Sequence, residues 1–254
     1  LIRSTMELGG KTSIIICEDA DFDGAIAGAL FSAFVASGQT CVSGSRFIVH
    51  RSIYDRFTDA LAVRADAIVI GDPMAEITQM GPVISKASQV RCLRMIGKAK
   101  ADGAVQIAGL TSPDLTAPFD KGFYIRPTIF KDVQSDHELF LEEVFGPVIS
   151  MTPYTTEAEA LELANTGNFG LGLSIWSRDI ARAHRLSLGV RGGVVWLNDH
   201  HRNDPRSVWG GVRDSGFGKE NGWDALKAYT TKKSVVVRTA PGYDDWFAGS
   251  TRYG

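Results

Sequence analysis

Short β-branched runs alternate with helical patterns along almost the whole chain, and this alternation limits the possible fold more than any other feature of the sequence. The run Thr12 to Cys17 (TSIIIC) predicts a buried strand. The next residues, 21–37, predict a helix whose first turn Asp19 or Asp21 caps. Strand and helix patterns repeated at this spacing predict an α/β fold with a doubly wound, largely parallel sheet and flanking helices.

The remaining predicted elements continue the same order. Further strands are predicted at residues 46–50, 105–108, 124–130, 148–153, 172–177, 193–197 and 234–238. Further helices are predicted at residues 53–67, 85–101, 157–165, 180–187 and 223–229. Residues 110–122 and 198–222 are rich in polar and turn-forming residues, so both are predicted to be loops.

Charge and cysteine content argue against several classes of partner. The formal net charge of the 254 residues is −2 and no large Lys/Arg cluster stands out, which argues against nucleic acid or an anionic membrane as the main partner. No apolar stretch approaches the roughly 18 to 20 residues of a membrane span. Cys17, Cys41 and Cys92 lie far apart without a CxxC pair, so neither a disulfide framework nor a metal site is predicted. A reducing, cytoplasmic location is expected.

The first candidate site residue is the glutamate of Glu7-Leu8-Gly9-Gly10-Lys11, just before the first predicted strand. Paired glycines let the backbone come close to a ligand or to another strand. A carboxylate beside them is able to reach over a pocket. Taken alone, this run still favours the simpler interpretation, in which Glu7 is a surface carboxylate.

The second candidate is the cysteine of Ser37-Gly38-Gln39-Thr40-Cys41, at the end of an Ala/Gly-rich helix. A cysteine among small polar residues, where a helix gives way to a loop, is accessible. If a new helical turn starts there, its N–H groups would favour the thiolate. A lone cysteine is also commonly a buried core residue. Position alone therefore leaves the nucleophile and the core residue equally open.

The two candidates together carry a resemblance that neither carries alone. The chain resembles the aldehyde dehydrogenase superfamily, whose signatures are a glutamate in an ELGGK-like run and a cysteine in GQ-x-C; here they are Glu7 and Cys41, in the family's order. Four further runs match downstream: EEVFGPV at 142–148, NFGLGL at 168–173, GVVWLN at 193–198 and SGFGKE at 215–220. The resemblance extends from Glu7 to about residue 237.

The resemblance implies an enzyme that oxidises an aldehyde to a carboxylic acid with NAD or NADP. Cys41, as thiolate, would attack the carbonyl carbon, and hydride transfer from the thiohemiacetal would leave a thioester. Glu7 would activate the water that hydrolyses this thioester, and the backbone N–H of Cys41 would donate to the oxyanion. Glu220 matches a second carboxylate that relays protons from Glu7 to solvent.

Other matching positions imply how cofactor and substrate are held. Glu143 matches the glutamate that hydrogen-bonds the nicotinamide-side ribose, Phe145 matches the aromatic residue packed near the ring, and Gly9 is expected on the same cofactor side. The resemblance places residues 198–205 at the substrate entrance. The aromatic residues near them favour an aromatic or bulky small-molecule aldehyde; these residues are Trp196, Trp209 and Phe217. The adjacent His200 and His201 have no third ligand in register, so no metal site is predicted there.

The family's enzymes are about twice as long as this chain, which opens at Leu1 without an initiator Met. The chain is therefore expected to be the catalytic half, with the N-terminal coenzyme-binding half absent, and to be inactive as a dehydrogenase by itself. Residues 1–215 are expected to form the catalytic domain. Residues 216–254 are expected to form a C-terminal segment with an oligomerisation strand, at residues 234–238, and a tail. The full-length protein is expected to be a homodimer or homotetramer.

Two hypotheses from other functional classes remain open. The first is a thiol hydrolase, because family members hydrolyse activated esters through the same cysteine and glutamate without a cofactor. The second is a non-catalytic scaffold, since folds of this family have been reused in that way. Intact Glu7, Cys41 and Glu143 argue against the scaffold, which needs none of the three.

Overall fold

The computed structural model of the chain describes residues 2–242 and residue 247, and a seven-stranded sheet forms its centre. Within this part of the chain, the strands are β1 (Met6–Glu7), β2 (Thr12–Ile16), β3 (Gly44–His50), β4 (Val105–Ala108), β5 (Thr128–Lys131), β6 (Val148–Tyr154), β7 (Gly172–Trp176), β8 (Val194–Leu197) and β9 (Gly216–Phe217). The α-helices are α1 (Phe22–Phe34), α2 (Tyr54–Asp66), α3 (Lys86–Ala101), α4 (Glu138–Leu141), α5 (Glu157–Asn165), α6 (Ile180–Gly189) and α7 (Gly222–Ala228).

The large sheet has the strand order β4-β5-β6-β3-β2-β7-β8. All neighbouring strands are parallel except β4 and β5, which are antiparallel at one edge. A separate two-stranded antiparallel sheet joins β1 to β9 and pairs Met6 with Phe217. The predicted α/β fold with a largely parallel sheet is therefore confirmed.

Both faces of the sheet are covered, as the three isoleucines of the central strand β2 show. All five residues of β2 are buried. Ile14 and Ile16 pack into one core with residues of α1 and α2, whereas Ile15 packs into another with residues of α5 and α6. Because alternate residues of a strand point to opposite faces, a strand between two helical layers buries its side chains on both faces, and the three consecutive isoleucines fit this position.

Several predicted element boundaries are confirmed, and one predicted cap is wrong. Ser85 caps α3 by accepting a hydrogen bond from the Ser88 N–H at 3.2 Å. Asp21 lies at the N-cap position of α1 but makes no capping hydrogen bond with its side chain. Asp19 does not cap α1 either: its carboxylate accepts from the Ser177 hydroxyl and the Asp179 N–H, both at 2.9 Å. These two aspartates therefore do not define the start of the helix as predicted.

Two predicted strands differ from the structure. The strand predicted at 124–130 begins only at Thr128, after Pro127, which has no N–H to donate to a ladder. No strand is present at residues 234–238, where every residue is exposed. A strand exists only as a ladder with a neighbour, and within the described residues the large sheet ends at β4 and β8.

The short elements β1, α4 and β9 lie where no regular structure was predicted. The division of the chain at residue 215 stays a prediction, although β9, just after that point, pairs with β1 near the beginning of the chain. Among the helices of the described residues, none combines the length and apolarity needed to cross a membrane.

Ile15→Ala in β2 tests the role of the central strand. Ile15 is fully buried, so the variant leaves a cavity between two packed layers. We expect the free energy of unfolding to fall by about 2–5 kcal/mol, measured by urea denaturation followed by circular dichroism. Ile77→Ala is the matched control, because Ile77 is 73% exposed and its loss is expected to change stability by at most about 0.5 kcal/mol. Equal effects of the two variants would contradict the assigned core.

Candidate active site

The residues expected to carry the chemistry meet at the amino ends of three neighbouring strands. Residues 7–11 precede β2, Cys41 precedes β3, and Glu143 and Phe145 precede β6. The strands β6, β3 and β2 lie side by side and run parallel, so the three loops that precede them converge at the amino ends of these strands. Open α/β sheets commonly bind ligands at the carboxyl ends of their strands. In this chain the candidate residues lie at the amino ends of the strands instead.

Two adjacent glycines let these loops lie close together. A Cβ atom on Gly10 would lie 2.5 Å from the carbonyl oxygen of Cys41, a distance that real Cβ atoms essentially never reach. A Cβ atom on Gly9 would meet the carboxylate of Glu143 at a similarly forbidden distance. A side chain at Gly10 would push the Cys41 backbone away, and one at Gly9 would displace the Glu143 carboxylate. Gly9 therefore forms the surface on which the Glu143 carboxylate rests.

Cys41 lies in a tight turn, not in a helix. The helix α1 ends at Phe34, and the next residues include Ala36 and Ser37 with positive φ angles of 51° and 57°. The Ser43 N–H then donates to the carbonyl of Thr40 at 2.9 Å, which closes a turn with Cys41 inside it. The helical turn considered at this position is therefore absent, and a four-residue turn takes its place.

Exposure separates Cys41 from the other two cysteines. Cys17 and Cys92 are both fully buried in the hydrophobic core, whereas Cys41 is partly exposed. Core packing, the commoner role of a lone cysteine, therefore describes Cys17 and Cys92. Only Cys41 among the three presents its sulfur side to a cleft that a reagent or substrate is able to enter.

Neighbouring groups both raise and lower the pKa of the Cys41 thiol. Burial raises the pKa of the Cys41 thiol above its ordinary value, and the carboxylates of Glu7 and Glu143 add to the rise. The backbone N–H groups of Cys41 and Val42 act in the other direction, because they stabilise the thiolate. The backbone N–H groups therefore lower the pKa of the thiol as expected, but burial raises it by more.

The cleft beside Cys41 has a volume of about 420 Å³ and brings the predicted residues together. Its lining consists of Glu7, Leu8, Gly9, Cys41, Ser88, Arg91, Glu143, Val144 and Phe145. Five of the six residues predicted from the sequence therefore share one cleft. The sixth, Glu220, lines a neighbouring cleft instead.

Glu7 is a partly buried carboxylate whose surroundings raise its pKa. It ends β1, and its Oε1 atom is buried with no hydrogen-bond partner among the described residues. Burial raises the pKa of Glu7, and the charge of Glu220 raises it further, whereas Trp209 and Lys219 lower it. A carboxyl group with a raised pKa is a stronger base than an ordinary surface glutamate.

Glu220 lies close to Glu7 without sharing its cleft. Its backbone pairs with that of Trp209 in an isolated antiparallel bridge, with both N–H to carbonyl hydrogen bonds at 2.7 Å. Glu220 is exposed, and its negative charge raises the pKa of the Glu7 carboxyl group. This arrangement gives Glu7 a carboxylate neighbour on the solvent side.

Glu143 and Phe145 form the other wall of the cleft. The Gly10 N–H donates to Glu143 Oε1 at 2.9 Å. Burial raises the pKa of Glu143, while the Gly10 N–H, Arg91 and Lys11 lower it. Phe145 is partly exposed and has a positive φ of 54°, which turns the chain beside the cleft.

One basic residue of the site, Arg91, carried no recognisable signal in the sequence, whereas Lys11 belongs to the ELGGK-like run. Arg91 comes from α3, together with Ser88 one turn earlier, and its guanidinium donates to the carbonyl of Glu143. Nothing in the pattern of α3 marks that helical face as part of a site. Lys11 follows the glycine pair, and its Nζ is buried without a hydrogen-bond partner among the described residues. Burial, followed by the charge of Arg46, lowers the pKa of Lys11 to about 7.

The aromatic residues expected near the substrate have different surroundings. Trp196 is buried, and its indole N–H donates to the carbonyl of Arg202 at 2.8 Å, so it supports the loop. Trp209 packs against it with ring centres 6.2 Å apart and lies next to Glu7. Phe217 is 57% exposed on β9. Among the described residues, no three His, Cys, Asp or Glu side chains come together as a metal-binding group.

Comparison with known proteins identifies the relatives of the chain. Residues 1–235 match the aldehyde dehydrogenase family. The betaine aldehyde dehydrogenase of Brucella anthropi is 42% identical over 233 residues, which are 92% of this chain and 48% of that protein. The betaine aldehyde dehydrogenase of Rhizobium johnstonii is 40% identical over 237 residues, 93% of this chain and 48% of that protein. The chain spans about half the length of the curated relatives it matches.

Solved structures give the same result. The crystal structure of betaine aldehyde dehydrogenase from Staphylococcus aureus in complex with NAD⁺ superposes with a TM-score of 0.91 at 37% identity, covering 96% of this chain and 48% of that one. A variant of aldehyde dehydrogenase from Bacillus cereus superposes with a TM-score of 0.86 at 39% identity, covering 91% of this chain and 46% of that one.

Glu7→Gln tests the electrostatic balance at Cys41. Glutamine keeps the size of the side chain but removes a negative charge that raises the pKa of the thiol. The thiolate fraction at pH 7 therefore increases, and we expect iodoacetamide to alkylate Cys41 about two- to fivefold faster than in the unaltered chain. The rate is measured by mass spectrometry of the native chain, in which Cys17 and Cys92 are buried.

The exposed Glu162→Gln on α5 is the control for this measurement, with no expected change in the rate. An alkylation rate in Glu7→Gln that is unchanged or lower would show that the Glu7 charge does not reach the sulfur.

Proposed function

The chain belongs to the aldehyde dehydrogenase family, and from that premise we propose that it forms the catalytic part of an enzyme that oxidises an aldehyde to a carboxylic acid with NAD or NADP. The observation that carries the proposal is the cleft shared by Cys41, Glu7 and Glu143. It combines a sulfur nucleophile, a carboxylate with a raised pKa and a second carboxylate that accepts a hydrogen bond from the Gly10 N–H. A hydrolase needs only the first two of these groups, and a scaffold needs none.

Cys41 is proposed as the nucleophile. Its thiolate attacks the carbonyl carbon of the aldehyde, a carbon–sulfur bond forms, and the carbonyl oxygen becomes the oxyanion of a thiohemiacetal. The N–H groups of Cys41 and Val42, which stabilise the thiolate before the attack, lie close enough to the sulfur to donate to that oxyanion afterwards.

Glu7 is proposed as the general base for release of the product. Once the thiohemiacetal has lost hydride, a thioester remains on Cys41 and water must attack it. Glu7 removes a proton from this water, the carbon–sulfur bond breaks, and the acid leaves with the thiolate restored. The raised pKa of Glu7 suits this step, and exposed Glu220 is proposed to pass the proton from Glu7 to solvent.

The residues of the cleft fit a nicotinamide dinucleotide, which when bound accepts hydride from the thiohemiacetal carbon. Glu143 is a partly buried carboxylate, and a carboxylate is able to accept hydrogen bonds from two ribose hydroxyls. Phe145 presents an exposed aromatic ring to the same cleft, as packing against a nicotinamide ring requires. Gly9 has no side chain, so the Glu143 carboxylate is able to lie directly against the backbone there.

The activity of the whole protein is a proposal that extends beyond these residues. The chain spans about half the length of its relatives, and we propose that alone it does not transfer hydride to a dinucleotide. Within it, we propose that residues 1–215 form the catalytic domain and that the following residues serve assembly into a homodimer or homotetramer. The acylation chemistry of Cys41 needs only the cleft described above.

The substrate is proposed to be a small aldehyde with a bulky, aromatic or cationic group. Trp209 hydrogen-bonds Glu7 from outside the residues that line the cleft and packs against Trp196, and we propose that the face of its ring lies within reach of a substrate held at Cys41. The relatives from Brucella anthropi and Staphylococcus aureus are betaine aldehyde dehydrogenases, and a tryptophan face binds a quaternary ammonium group through cation–π attraction. The same face packs against an aromatic ring.

Cys41→Ala and Glu7→Gln test the two chemical roles in the chain as it stands. With p-nitrophenyl acetate, we expect the unaltered chain to release a burst of nitrophenol and then to turn over slowly. Cys41→Ala is expected to lose the burst, because the acyl group has no sulfur to bind. Glu7→Gln is expected to keep the burst and to lose at least about tenfold of the steady rate, because general-base catalysis contributes about 10²–10⁴-fold.

The control is Cys92→Ala, which removes a buried thiol that lies outside the cleft and is expected to keep both phases. A Cys41→Ala chain with an unchanged burst would refute the role of Cys41. Loss of the burst in Glu7→Gln would instead assign Glu7 to the first step.

Protection of Cys41 by aldehydes tests the substrate class without a cofactor. An aldehyde that adds reversibly to the thiolate blocks alkylation, so the concentration giving half-protection against iodoacetamide measures its affinity. We expect benzaldehyde and betaine aldehyde to protect at concentrations at least about tenfold lower than acetaldehyde, since burying an aromatic ring or pairing a cation with tryptophan contributes about 1–2 kcal/mol. Trp209→Ala is expected to remove this preference. Equal protection of the unaltered chain by all three aldehydes would contradict the proposed substrate class.

A further inference from the structure

His200 is a buried histidine with two hydrogen bonds and no role in the proposed chemistry. It is 4% exposed. Its Nε2 lies 2.8 Å from the carbonyl oxygen of Val42, and its Nδ1 lies 2.5 Å from the hydroxyl oxygen of Ser174 on β7. A carbonyl only accepts hydrogen bonds, so Nε2 carries the hydrogen and Nδ1 is the acceptor that faces the Ser174 hydroxyl, whose oxygen also lies 3.0 Å from the Asp199 carbonyl oxygen. The imidazole therefore connects the strand β7 to the residue that follows Cys41.

The neighbouring histidine contacts the other end of the same turn. His201 Nε2 lies 3.4 Å from the Thr40 hydroxyl oxygen. The two imidazole rings meet edge to face, with centres 4.7 Å apart. Thr40 precedes Cys41 and Val42 follows it, so the pair holds the turn on both sides of the cysteine.

This contact bears on the reactive sulfur through the peptide groups of the turn. The N–H groups of Cys41 and Val42 are the groups that stabilise the Cys41 thiolate. The direction of these N–H groups depends on the backbone angles of Cys41 and Val42. The hydrogen bond from His200 holds the carbonyl of Val42 in place. A turn released at that carbonyl would sample other angles, and its N–H groups would point at the sulfur for less of the time.

We propose that His200, assisted by His201, is a positioning residue that holds the Thr40–Ser43 turn so that its backbone N–H groups stay directed at Cys41 Sγ. The proposal rests on the proposed function, because it assumes that the Cys41 thiolate is the reacting species. Burial lowers the pKa of His200 to about 4, so the imidazole stays neutral and keeps one tautomer at physiological pH. A fixed tautomer suits a residue that must donate to a carbonyl and accept from a hydroxyl at once.

A purely structural role is the competing explanation. His200 also packs against Trp196, with ring centres 4.8 Å apart, so a replacement disturbs packing as well as hydrogen bonding. His200→Phe keeps an aromatic ring and removes both hydrogen bonds. His200→Gln loses the ring but keeps an amide N–H of similar reach to Nε2. The two variants therefore separate the ring from the hydrogen bond.

The experiment is the pH dependence of iodoacetamide alkylation of Cys41 in the native 254-residue chain, with mass spectrometry to identify the site. We expect the midpoint of the His200→Phe profile to move to higher pH, with alkylation at pH 7 about three- to tenfold slower, the effect of one lost hydrogen bond. His200→Gln is expected to restore most of the rate. The exposed His184→Phe on α6 is the matched control and is expected to leave the profile unchanged.

Two results would overturn the proposal: a His200→Phe profile that matches the unaltered chain, or equal slowing in His200→Phe and His200→Gln, which would mean that only packing matters. If His200→Phe does not fold, Ser174→Ala carries the test, because it removes the partner of Nδ1 together with the contact of that hydroxyl to the Asp199 carbonyl; an unchanged midpoint there also overturns the proposal. A native chain with no acyl burst at Cys41 would refute the proposed function instead, so the two failures are distinguishable.

Discussion

The close approach of the glycine pair to the loops of Cys41 and Glu143 is the constraint on which the site depends. Gly10 leaves no room for a side chain against the Cys41 carbonyl, and Gly9 leaves none against the Glu143 carboxylate. Three loops that precede three different strands therefore pack as one surface. The sheet makes this possible, because β6, β3 and β2 are adjacent and parallel and so present their amino ends together.

The same packing determines the electrostatics of the cleft. Burial is the largest influence on the pKa of Glu7, Cys41 and Glu143, and it raises all three. Opposing it are groups that the fold supplies at short range: backbone N–H groups at the thiol, and Arg91 with the Gly10 N–H at Glu143. Desolvation and donors act on the same atoms, so the reactivity of each group depends on how rigidly the backbone is held.

The sequence predicted the fold class and most of the site, and its errors have physical reasons. Glu7, Cys41 and Glu143 lie in short runs whose residue types are recognisable locally. Arg91 and His200 were missed as site residues because each reaches the site by tertiary packing, from a helix and from a loop far along the chain. The strand predicted at 234–238 is not confirmed in the single chain, because β-branched residues favour a ladder but do not supply the neighbour that completes it.

The acidic groups in and beside the cleft also influence one another. The charges of Glu7 and Glu143 both raise the pKa of Cys41, and the charge of Glu220 raises that of Glu7. Each of these negative charges therefore adds to the cost of forming the next one. Backbone donors escape this coupling, because an N–H group carries no net charge and does not titrate. The N–H groups of the Cys41 turn therefore stabilise the thiolate at every pH at which the turn keeps its shape.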